Sequence, residues 1–161
     1  MIRLIKIALT AFVGLMCITY ALQNIFNLPA AYWFVETMAG MAGHEAYPGH
    51  VGPPVTAAPI IWAILWIIIL SELAAGAASF KGMMDLWSSR NADAATFNAA
   101  KKWGIVGAGL GVIVWFGYFH GIGGAYFQMW QTEAGANALM GAFQYAMMCG
   151  LVALLLMQKD D

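Results

Sequence analysis

The sequence predicts an all-α fold: a polytopic membrane protein with four transmembrane helices in an up-down bundle and both termini in the cytoplasm. Three observations carry that reading. The chain has 161 residues, 62% of them hydrophobic and only 9% charged, against about 45–50% apolar and about 25% charged in ordinary soluble domains. Too few polar side chains remain to cover a water-facing surface, so lipid is the solvent for most of the chain. Four apolar runs each reach the roughly 20 residues that a helix needs to cross a bilayer core of about 30 Å. The basic residues then orient the runs. Arg3 and Lys6 open the first, Lys81, Arg90, Lys101 and Lys102 lie between the second and third, and Lys159 follows the fourth. The positive-inside rule places all seven on the cytoplasmic side.

The expected spans are residues 4–23, 59–80, 103–128 and 134–157, within one domain covering residues 1–161. No strand-like alternation competes, and backbone groups in lipid must be satisfied by helices or closed barrels. "MIRLIK" followed by an apolar run also has the outline of a signal peptide, but it is read here as a retained helix. Residues 24–58 form an outer loop, in which "AAYWFVETMAGMAG" after Pro29 is expected to be a helix at the membrane interface. Residues 81–102 form a cytoplasmic loop, with Asn91 or Asp93 as the N-cap of a short amphipathic helix. Trp33, Trp62, Trp87, Trp103 and Trp130 fall near the span boundaries, as an aromatic belt would.

Lipid tails are as apolar as leucine, so close packing of small residues must join the helices. Gly107–Gly111 and Gly117–Gly121 in the third span have GxxxG spacing, and Gly76 lies in the second. These are the expected packing positions, or a groove for a foreign helix or a cofactor tail. Cys17 and Cys149 fall inside apolar runs and read as small buried side chains. The net charge of −1 gives no basic field for nucleic acid.

Glu72 is the foremost intramembrane candidate, expected about 13 Å from the cytoplasmic end of its span at 1.5 Å per residue. An ionisable residue at such depth is a functional candidate by default. It ties helices together by hydrogen bonding, relays a proton or ion, or meets a partner subunit. His120 is the only histidine inside a span, and it reads as a packing residue or as a heme or quinone contact. Gln23, Asn24, Gln128, Gln131 and Gln144 form a polar tier toward the outer side, together with Tyr20, Tyr145 and Trp130. In "GHEAYPGH", His44, Glu45 and His50 lack the helical i, i+4 histidine pair of a zincin, and Pro48 and Gly49 point to turn chemistry. The stretch reads as a structured outer loop, with no metal and no catalytic residue assigned.

The runs "YALQNIFN", "AYPGH", "SELAAGAASFKGMMDLW", "FNAAKKWG", "FQMWQTE" and "GAFQY" resemble the bacterial family of predicted small integral membrane proteins, over essentially the whole chain. The resemblance implies a four-helix inner-membrane protein of a Gram-negative bacterium and supplies no catalytic residues. The expected function is a non-enzymatic accessory or structural subunit that docks onto a larger respiratory or photosynthetic complex. The alternatives are a small oligomeric transporter, channel or proton-coupled carrier using Glu72, and a heme- or quinone-binding anchor using His120. The expected partners are membrane lipids and other integral membrane subunits, with no nucleic acid. No resident cofactor is expected, with a bound lipid or quinone as the alternative.

Overall fold

The computed structural model describes residues 1–161, and they are all-helical, with no strand. Helix α1 spans Ile2–Phe26, α2 Leu28–Ala39, α3 Ala58–Ser88, α4 Ala94–Ala100, α5 Lys102–Val112 and α6 Glu133–Met157. Helix α5 winds on without interruption into a π-helical segment, Ile113–Tyr126, followed by a short 3₁₀ turn at Met129–Gln131. Four stretches are long and apolar enough to cross a membrane: α1, α3, the run from Ala94 to Tyr126, and α6. The all-α, four-span bundle expected from the sequence is therefore present.

The first path differs from expectation. It does not give way to a loop at residue 24, because α1 continues to Phe26. Asn27 breaks it with φ −121° and ψ 37°, and α2 starts at once with Pro29 in its first turn, where a missing N–H costs nothing. Helix α2 then climbs along α3. The Tyr32 and Trp62 rings lie 4.7 Å apart, the Val55 N–H donates to the Ala39 carbonyl at 2.8 Å, and Val35 and Ala39 pack with Ile61, Leu65 and Ile69. The true connection shrinks to residues 40–57.

Helix α3 also outruns its expected end at residue 80. "KGMMDLWS" remains helical, with Lys81 and Asp85 paired across one turn at 2.5 Å. Of the two N-caps considered for α4, Asp93 is the one used, accepting the Thr96 N–H at 2.9 Å. Thr132 caps α6 by accepting from the Gly135 N–H at 3.0 Å.

All seven basic residues gather at the end of the bundle that holds both termini. Arg3 donates to the Ala92 carbonyl at 2.7 Å. Lys6 donates to Asp160 at 2.5 Å and to the Gln158 carbonyl at 3.0 Å, and Lys101 also pairs with Asp160. The segment after α6 is thus fastened across α1 and the α4–α5 junction. Burial works to raise the Asp160 carboxyl, but hydrogen bonds from Lys101 and Lys6 outweigh it and hold the group below the usual carboxylate range.

Candidate functional site

Glu72 stands 14 residues from Ala58 and 16 from Ser88, about 21 and 24 Å from the two ends of α3 at 1.5 Å per residue. The extension of α3 to Ser88 therefore moves it from the cytoplasmic half, where the shorter span had placed it, to the middle of the helix. Its side chain is buried, 2% exposed, and accepts a hydrogen bond from Asn24 Nδ2 at 3.3 Å. Asn24 thus sits at the depth of Glu72 and not in an outer polar tier.

Three amides collect where the first path breaks. Asn27 Nδ2 donates to the Gln23 carbonyl at 2.8 Å, beside the Asn24–Glu72 bond. Interrupted helix is tolerated at membrane depth where it lines a cavity or is covered by protein. Here it lines an open-sided cavity of about 510 Å³, bordered by the end of α1, α2, the neighbouring half of α3 and the π-helical segment. Fifteen of its nineteen lining residues are hydrophobic, and the amides of Gln23, Asn24 and Asn27 form its polar end. Tyr118, on the π-helical wall, shares a hydrogen bond with Ser71 at 3.3 Å. Sequence reading missed this site, although "QNIFNLP" held the signal: two asparagines and a proline closing an apolar run.

A second polar group joins α1 to α6. The Tyr20 and Tyr145 hydroxyls hydrogen-bond to each other, with Trp115 edge-on to both rings at 6.1 and 5.5 Å. Below them Cys17 and Cys149 are free and buried in the same apolar core. His120 lies apart from both groups, between Phe116 and Phe143, with ring centroids 6.4 and 6.3 Å away. Its Nε2 is buried without a partner. Gln144 is exposed on α6, facing away from the Tyr145 contacts.

The packing glycines divide into two sets. A Cβ on Gly107 would stand 2.5 Å from the Ser79 backbone nitrogen, one on Gly111 2.7 Å from the Cys149 sulfur, and one on Gly76 2.5 Å from Ile18. These three sit at helix crossings. Gly117 and Gly121 do not: a Cβ there would meet only Ile113 and the Phe116 carbonyl of their own helix, at 3.8 and 3.7 Å. Both lie in the π-helical segment, whose hydrogen bonds run five residues back, as from the Phe127 N–H to the Ile122 carbonyl at 2.9 Å, and neither approaches a neighbouring helix.

In the far-end connection His44 and His50 face each other with ring centroids 6.4 Å apart, while Glu45 is exposed. No three histidine, cysteine or acidic side chains converge to hold a metal ion. Burial, helped by His50, pushes the His44 pKa down. The connection is tied to the turn before α6, where the Tyr47 N–H donates to Gln131 Oε1 at 2.9 Å and Tyr47 stacks edge-on against Trp130 at 5.2 Å.

Four membrane-length apolar helices, a charged end and a buried Glu72 at the middle of α3 define a small multi-span integral membrane protein. The family comparison agrees: residues 2–159 match the family described as predicted small integral membrane protein (DUF2165), and the chain belongs to it. No curated protein and no solved structure matches the chain.

Proposed function

We propose that this protein is a non-enzymatic accessory subunit of a larger inner-membrane assembly, of the respiratory or photosynthetic kind, with its basic end in the cytoplasm. The observation that carries the reading is Gln144. Its amide is exposed near the middle of α6, between Phe143 and the inward-facing Tyr145. A primary amide facing hydrocarbon lacks hydrogen-bond partners, and a neighbouring transmembrane helix supplies them. Around it the surface is apolar, with Met140, Phe143, Met147 and Met148 exposed on the same helix. The lipid-facing Gly121 offers another point of close approach.

The test is mild-detergent extraction of the tagged protein from its native membrane, followed by native-gel migration and mass spectrometry of the band. A large band with stoichiometric integral membrane partners is expected, and Gln144→Leu should release them while the monomer stays folded. A small band containing this chain alone would end the accessory-subunit reading.

A second reading rests on Glu72. A buried carboxyl at the middle of α3, bonded to Asn24 beside an interrupted helix, is the arrangement around which a proton-coupled carrier is built. Proton-coupled flux in reconstituted vesicles that Glu72→Gln abolishes would favour it. Flux that this substitution leaves unchanged would remove Glu72 from the mechanism.

A further inference from the structure

A second cavity, of about 430 Å³, opens at the charged end of the bundle, between the start of α1 and the segment after α6. Arg3, Lys6 and Lys159 line it with Asp160 and Asp161, and Met1, Ile2 and Leu155 form its apolar side. Lys6 is 2% exposed, and its ammonium shares the Asp160 carboxylate with that of Lys101. Two buried cations therefore face one buried anion, and a charge left uncompensated out of water is costly. The hydrogen bonds show where the excess sits. An ammonium has three N–H donors. Lys101 uses all of them, on Asn98 Oδ1, the Gln158 carbonyl and Asp160. Lys6 uses two, on the Gln158 carbonyl and Asp160, so one charged donor remains on the lysine that lines the cavity. Arg3 stands one turn earlier on the same face of α1. Its Nη1 donates to the Arg90 and Ala92 carbonyls, and its Cζ lies 4.5 Å from the centre of the Phe97 ring. These contacts hold the guanidinium still, no carboxylate pairs with it, and its Nε and Nη2 keep their donors.

We propose that this cavity binds the head group of an anionic phospholipid. The phosphate oxygens accept from Lys6 Nζ and from the free edge of the Arg3 guanidinium, whose planar fork suits a phosphate. The acyl chains pass over Ile2 and Leu155 into the bilayer. A phosphodiester supplies what the cluster lacks, a negative charge and acceptor oxygens. The apolar side of the cavity, at the end of four membrane-length helices, favours a phosphate carried on a lipid over a free one. Basic pockets between transmembrane helices take anionic head groups in this way. A zwitterionic head group brings its own cation and leaves the excess charge where it was.

The experiment is native mass spectrometry of the full chain, released from detergent micelles that hold equal amounts of phosphatidylglycerol and phosphatidylethanolamine with the same acyl chains. Phosphatidylglycerol should bind roughly tenfold more tightly, as one charge-assisted hydrogen bond gives. Lys6→Met leaves Lys101 and Asp160 as a balanced pair and should abolish the preference, with helicity checked by circular dichroism. If that variant does not fold, Arg3→Gln carries the same expectation. Lys102→Gln removes a positive charge at the same end but outside the cavity and should keep the preference. Equal binding of the two lipids by the unaltered protein would overturn the proposal, as would a preference that survives in folded Lys6→Met. A loss in Lys102→Gln as large as in Lys6→Met would overturn it too, since the general field of the basic end would then suffice. Displacement of the lipid by inorganic phosphate at equal concentration would make this a site for the free anion and end the lipid assignment.

Discussion

Gly107→Ala puts the packing of α5 on α3 to a direct test. A methyl group there would stand 2.5 Å from the Ser79 backbone nitrogen and 2.8 Å from the Ala75 carbonyl oxygen, where ordinary contact begins at 3.4 Å. Both atoms belong to the α3 backbone and cannot rotate away, so the helices must part by about 1 Å. Overpacking of this kind costs roughly 1–3 kcal/mol. Alanine is a better helix former than glycine by about 1 kcal/mol, which offsets part of that loss. Gly109 is the control. Two residues further along the same helix, it has open space where its Cβ would be, so Gly109→Ala should gain up to about 1 kcal/mol from propensity alone. The two variants should therefore differ by about 2 kcal/mol in reversible SDS titration followed by far-ultraviolet circular dichroism. If they agree within about 0.5 kcal/mol, close approach at Gly107 does not hold α5 to α3.

Asp160→Asn should destabilise the bundle by about 3 kcal/mol, the lower end of the cost of breaking a buried ion pair, because the tail can lift and let water reach Lys6 and Lys101; equal midpoints for variant and parent would refute this. The Asp160 carboxyl is depressed when folded, so its contribution is complete above the unfolded value of about 3.9 and is lost as pH falls through the lower folded value. Acid titration of stability should show that loss in the parent and not in Asp160→Asn. His44 has the opposite sign. Its folded pKa is lowered, so acidification through the unfolded value of about 6.5 should loosen the 40–57 connection, seen as faster amide exchange around Tyr47 at pH 5 and absent in His44→Gln. Glu72→Leu and Asn24→Leu should show a coupling of about 0.6 kcal/mol, and no more than about 1.7, in a double-mutant cycle; strict additivity would mean that the pair is not formed.

Composition, apolar run length and the placement of seven basic residues were enough to determine an all-helical, four-span membrane protein, because transfer into lipid is a local property of each segment. Gly76, Gly107 and Gly111 could be singled out for the same reason: small residues at helical spacing inside apolar runs have few other uses. What depends on partners distant in sequence was decided by the tertiary structure. Glu72 reaches the middle of its helix only because α3 continues to Ser88, and Asn24 joins it from 48 residues away. Helix α2 belongs to the bundle and not to a loop because Ile61, Leu65 and Ile69 offer it an apolar face. Asp160 could be read as a solvated tail charge until the fold brought it between Lys6 and Lys101. Gly117 and Gly121 have the same spacing as Gly107 and Gly111 but meet no neighbouring helix, because which face of a helix is covered depends on where the other helices lie and not on side-chain spacing.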